Sequence, residues 1–285
     1  MKIAPLKRTI IAIIVVLALL PASLALGAGL PGPPPPPPPP IPTPPNTGYD
    51  HYTIIQAPQG NPDQIVFGTP DNDMIAEYGD TDTATQYAEG SEGDDWLLQV
   101  GGDKTINQTA ISGDGNDTLY QFGGKGDSNL FALGGGGYKI FIQVGGQGTN
   151  NLEIYGGEGG NTMQQYGGLG NNTMKLSGTT GNDVIEMYGS PGNNTMIYNP
   201  TPGNDLATIL GGGGYNTLTI NKRGQSFTLK DYQGRVLFQT GAGGSTITVA
   251  NLHRITVIGD NGKPIYTYNP GIVPTSIAPL LLLGN

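Results

Sequence analysis

The chain has 285 residues, of which 48 are glycine, 24 proline and none cysteine, and only 12% are charged. That composition excludes an ordinary close-packed globular domain as the first reading and turns attention to repeats. Thirteen Lys/Arg oppose 22 Asp/Glu, a net charge of −9, which excludes a nucleic-acid partner because phosphate binding needs a basic face.

Lys2, Lys7 and Arg8 precede an apolar run over residues 10–20, which is followed by the small residues Ala22, Ser23, Ala25, Gly27 and Ala28. This order is that of a secretory signal peptide over residues 1–28. The apolar run is too short to span a hydrocarbon layer of roughly 30 Å. Its removal leaves ten Lys/Arg against 22 acids in a protein that is secreted or displayed at the cell surface. Without disulfides, such a protein needs other cross-links, and metal ions held by carboxylates are the obvious substitute. Residues 29–56 form a proline-rich linker with eight consecutive prolines at 33–40. A polyproline II helix rising about 3.1 Å per residue makes this a stiff spacer of about 40 Å, expected to hold the body away from the N-terminus.

Residues 57–221 repeat every eleven residues. From Gly68 the period lands on Gly79, Gly90, Gly101, Ser112, Gly123, Gly134, Gly145, Gly156, Gly167, Gly178, Gly189, Pro200 and Gly211. Weaker units start at Ala57 and Lys222. Each unit opens with a glycine-rich stretch able to turn sharply and ends in a strand-like stretch too short to bury a face alone, so units must stack. Alternate units differ at position six. One set carries Asp73, Asp95, Asp117, Lys139, Asn161, Asp183 and Asp205; the other carries Ala84, Ile106, Ser128, Asn150, Asn172, Asn194 and Asn216. The true repeat is therefore 22 residues. The fold class is all-β: a parallel β-roll or β-helix solenoid with two units per coil.

If opposite walls run oppositely, position eight of one faces position ten of the other. Ile75, Leu97, Leu119, Phe141, Met163, Ile185 and Ala207 then face Ala88, Ala110, Ala132, Ile154, Leu176 and Tyr198, large against small where packing requires it. A second row, Glu77, Gln99, Gln121, Gln143 and Gln165, faces Gln86, Gln108, Leu130, Leu152 and Met174. It is either a buried stack of amides bonded between coils or a polar surface. Residues 222–270 lose the glycine period and read as a cap of hairpins around Gln233-Gly234 and Asn261-Gly262. Residues 271–285 form an apolar tail.

The run Ser112-Gly113-Asp114-Gly115-Asn116-Asp117-Thr118-Leu119-Tyr120 resembles the haemolysin-type, or RTX, nonapeptide GGxGxDxUx, and residues 90–98 and 178–186 match it with small departures. The resemblance implies a calcium-binding β-roll in which turn carbonyls and aspartates hold calcium between coils. Transferred to this sequence, the ligands are Asp73, Asp95, Asp117, Asp183 and Asp205, with Asp71, Asp94 and Asp114 nearby. The units here are two residues longer than the family's, and half of the position-six residues are not acidic. Calcium is thus expected on one edge only, with Lys139 taking its place by bridging carboxylate and carbonyls. The asparagines of the other edge can close the same turns without metal, and the aspartates could equally be simple turn residues. Of the 19 acids within residues 57–221, fourteen precede residue 128, which weights the expected binding to the N-terminal half.

Position eleven carries Tyr78, Val100, Phe122, Val144, Tyr166, Tyr188, Leu210 and Tyr232. Its aromatic members Tyr78, Phe122, Tyr166 and Tyr188 form either an outward stripe for polysaccharide or self-association, or a row tucked under the turn. Only His51 and His253 exist, and neither a GxSxG nor an HExxH motif occurs, so the expectation is a structural or adhesive protein without catalysis. The alternatives are a carbohydrate- or ice-binding solenoid, the latter on the row Thr173, Thr195, Thr217, and, further off, a polysaccharide-degrading β-helix enzyme.

Overall fold

In the computed structural model the described residues are 29–56 and 63–269; the expected signal peptide and apolar tail lie outside them. The protein is a parallel β-solenoid of about nine coils with no helix among the described residues. From His51–Gln56 to Asn216–Asn221, sixteen strands alternate between two sheets. Each strand pairs in parallel with the one 22 residues away, as in Leu97↔Leu119 and Leu152↔Met174. At about 4.8 Å per coil the body is about 38 Å long.

Glycine is required where coils stack through their turns. A Cβ on Gly102 or Gly124 would collide with the carbonyl oxygen of Asp80 or Gly102, one coil earlier. Gly115 adds a backbone reason, with φ at +127°.

Inward side chains fill the space between the sheets as the facing rows anticipate. Leu97, Leu119, Phe141, Ala110, Ala132 and Ile154 are fully buried in one continuous core. The glutamine row belongs to this core. Gln99 donates to Glu77 at 2.7 Å, Gln121 to Gln99 at 2.8 Å, Gln143 to Gln121 at 2.8 Å and Gln165 to Gln143 at 3.0 Å. Each also donates to a backbone carbonyl of the opposite wall, such as Thr109 or Phe131. A shorter ladder of Gln64, Gln86 and Gln108 stands in the facing wall. Stacking lets a flat amide bond up and down without water, which makes its burial tolerable.

Three features differ from the sequence expectation. His51–Gln56 pairs in parallel with Asp73–Tyr78, so the solenoid begins inside the segment read as linker. At the other end, the hairpins around Gln233-Gly234 and Asn261-Gly262 are as expected, but Ser245–Ala250 and Arg254–Ile258 also continue the solenoid. They pair in parallel with Leu206–Leu210 and Asn216–Asn221 and make a ninth coil. Antiparallel strands Val236–Thr240 and Pro264–Tyr268 then close the two sheets. Finally, the prolines do not project. Leu30 is buried in the core and exchanges backbone hydrogen bonds with the ninth coil, to Leu252 at 3.0 Å and from Asn251 at 2.5 Å.

Candidate functional site

Position six stacks its side chains along each edge of the solenoid. On the asparagine edge, the turn carbonyls at positions two and four converge, and the Asn amide bridges them. Asn172 donates to Gly168 at 3.2 Å and Gly170 at 2.8 Å; Asn216 donates to Gly212 and Gly214, both at 2.8 Å. The amides also bond to one another, Asn150 to Asn172, Asn172 to Asn194 and Asn194 to Asn216. The turn is therefore a two-oxygen cradle that wants an N–H donor or a cation. On this edge the asparagine side chains bond the turn carbonyls, as the sequence reading expects.

On the other edge the cradle meets a carboxylate instead. The register brings His51, Asp73, Asp95, Asp117, Lys139, Asn161, Asp183 and Asp205 into one column. Its five aspartates are buried. One carboxylate oxygen of each inner aspartate accepts a backbone N–H from the coil before, Asp95 from Asp73 at 2.8 Å and Asp117 from Asp95 at 2.9 Å. His51 and Lys139 flank the first triplet, one at each end. His51 lies 3.4 Å from Asp73. Lys139, fully buried, pairs with Asp117 and donates to Gly113 at 2.8 Å and Gly115 at 2.7 Å. Its ammonium thus fills the cradle of the preceding coil. Asn161 fills its own cradle, donating to Gly157 and Gly159.

Asp95 and Asp183 have no such donor. Oδ2 of each is buried without a hydrogen-bond partner. The unpartnered oxygen of Asp95 lies against Gly90, where a Cβ would also meet the Ser112 carbonyl; that of Asp183 lies against Gly178, beside the equally unpartnered Thr201 Oγ1. In each place a carboxylate oxygen and a second oxygen come together over a glycine. Burial pushes the Asp95 carboxyl up to about 7, with Asp117 and Asp73 adding repulsion. Burial raises Asp183 as well, against hydrogen bonds from Asn161. Asp205 is relieved by the Tyr198 hydroxyl at 2.8 Å. The turn holding Asp95 also forces Ser91 to φ +90°, a conformation that L side chains rarely adopt.

No known family model, curated protein or solved structure matches the chain. Its function must therefore be argued from this column and its surroundings.

The remaining candidate residues fall elsewhere. Asp71, Asp94 and Asp114 are exposed on the outside of the turns, apart from the buried column. Asp94 accepts the Asn116 N–H and Asp114 the Gly136 N–H, each at 2.7 Å, so both serve a second ladder between turns. Among the described residues no group of three or more His, Cys, Asp or Glu is placed to hold a metal ion; any cation here would depend on carbonyl oxygens. The aromatic stripe is largely covered, with Phe122 5%, Tyr166 8% and Tyr188 7% exposed and Tyr78 half-buried. Tyr232 leaves the row for the cap hairpin, and Ala250 takes its place next to Leu210. Sequence reasoning missed Gln64, which sits in the weakest unit of the period, and the role of Tyr198, whose hydroxyl the eleven-residue pattern does not announce.

Proposed function

We propose that the protein is a calcium-stabilised structural or adhesive solenoid that works outside the cell or at its surface. One observation carries the reading. The same turn recurs along the column, and where Lys139 or Asn161 supplies a donor its carbonyls are bonded, whereas Asp95 and Asp183 each hold a buried, unpartnered carboxylate oxygen at a glycine that a second oxygen also approaches. That donor set suits a hard cation, which takes six to eight oxygens including backbone carbonyls. The resemblance to the haemolysin-type repeat names calcium, and the signal-like N-terminus names an exterior where weak sites of about 10⁻⁴ to 10⁻³ M would fill. In this reading Asp95 and Asp183 are the principal ligands and Asp73, Asp117 and Asp205 support them. Bound charge neutralises the column and couples folding to calcium. The buried glutamine and asparagine amides bond from coil to coil, which favours a structural role over catalysis.

The test is calorimetric titration of the full chain with calcium, with thermal unfolding followed by circular dichroism in calcium and in chelator. Binding and a raised melting temperature are expected in the native chain, and both should vanish in the Asp95→Asn/Asp183→Asn variant. Absence of binding heat, with identical melting in calcium and chelator, would remove calcium from the account.

A further inference from the structure

The proline arm lies on the solenoid from one end to the other. At the ninth coil, Leu30 is held by Asn251 and Leu252, and the Asn251 side chain donates to the Pro33 carbonyl at 2.6 Å. At the second coil, the Asp50 N–H donates to Asn72 at 2.8 Å, and Tyr49 packs against an outer cluster containing Met74, Trp96 and Phe122. Between these points the prolines flank a groove of about 710 Å³ whose floor includes Val100, Val144, Tyr166 and Tyr188.

Burial of outward side chains traces the route. On the first sheet, position seven is covered near the N-terminal end, Met74 1% and Trp96 7% exposed, and open near the other, Val184 43% and Leu206 61%. Position eleven is best covered at the C-terminal end, where Leu210 is 4% exposed, while Tyr78 and Val100 are only half-buried. The arm therefore crosses the sheet diagonally.

We infer that this arm is a length-matched strap that binds the coils into one cooperative unit. The polyproline part, Pro33 to Pro45, reaches about 37 Å at about 3.1 Å per residue, with residues 46–48 joining it to the anchor at Tyr49 and Asp50, and the seven coil steps from Asp73 to Ser245 at about 4.8 Å need about 34 Å. The periods also agree, since one polyproline turn of about 9.3 Å spans two coils of about 9.6 Å. Pro33, Pro39, Pro42 and Pro45, spaced by multiples of three, are half-buried, as are Pro35 and Pro44. A polyproline helix is already extended, so docking it costs little chain entropy. A solenoid held only by nearest-neighbour contacts can fray coil by coil from its ends. Joining the ninth coil to the second through a stiff tie makes the end coils open together with the rest.

The test compares the full chain with a variant lacking Pro36–Pro38 and one carrying three extra prolines at the same place. Neither change touches a residue that anchors the ends. Trp96, the sole tryptophan, reports the N-terminal coils, and far-ultraviolet circular dichroism reports all of them. In the native chain both should give one coincident denaturant transition. The shortened arm loses about 9 Å of reach and falls about 6 Å short of the span, so one end should come free, its midpoint should fall and the two signals should separate. The lengthened arm can bulge and should keep the native midpoint. Coincident, unshifted transitions in the shortened variant would overturn the strap, as would equal losses in both variants.

Discussion

Glu77 shows what one residue of a column endures. It ends the amide row, accepts one N–H from Gln99 and leaves Oε1 buried without a partner. Burial pushes its carboxyl up to about 8. The folded state thus holds a proton that the unfolded chain, near 4.5, gives up. Stability from this group is fully present below pH 4.5 or so and is lost as pH rises past about 8. Glu77→Gln keeps the shape and removes the titration. Its denaturant midpoint should match the native chain at pH 4 and exceed it at pH 9, where the gain in unfolding free energy is on the order of a few kcal/mol at about 1.4 kcal/mol per pKa unit. Midpoints that track each other across this range would show that Glu77 is solvated. At this scale the sequence was readable wherever a residue type recurred in frame: the column's members, the amides and the large-against-alanine rows all follow from the period. It misplaced Asp71, Asp94 and Asp114, because nearness along the chain does not say which side of a tight turn a side chain takes.

The turn is the element on which the column depends. The same carbonyl pair accepts an asparagine amide on one edge and the Lys139 ammonium on the other, which makes Lys139 an internal cation. Lys139→Met would leave Asp117 buried and uncompensated, an effect of about 3–5 kcal/mol for a broken buried pair. A urea midpoint unchanged from the native chain would show that the pair contributes nothing. If the cradle takes calcium as proposed, the variant should regain part of the loss on adding calcium, whereas the native chain needs none at this turn. The cap was less legible than the turns. Strand patterning cannot tell a parallel partner from an antiparallel one, and the extra hairpin Phe227–Thr240 separates the eighth coil from the ninth. Asp205 therefore meets Ser245, 40 residues on, and the frame of 22 passes over the join.

For the whole molecule the decisive quantity is the repeat, and it makes an asymmetric prediction about deletions. Removing residues 141–162 joins Ile140 to Met163. Position seven is still followed by position eight of the same wall, and each ladder closes up by one rung. The body shortens by about 4.8 Å, so the strap becomes slack and nothing opposes the change. Removing only residues 141–151 joins Ile140 to Leu152 and sends every later strand to the opposite sheet. Asn161, Asp183 and Asp205 would then stack on Ser128 and Ile106, and the amide row of Gln99 and Gln121 would lose Gln143 to the deletion and Gln165 to the opposite sheet. Ile154, Leu176 and Tyr198, all at position ten, would continue the buried row that Glu77, Gln99 and Gln121 begin, setting large apolar side chains where amides had bonded. Circular dichroism and gel filtration should therefore find the 22-residue deletion folded, with native-like β signal and a single denaturation step, and the eleven-residue deletion largely unfolded or aggregated. If both deletions fold equally well, the two walls are interchangeable and the coil is not the unit that this sequence encodes.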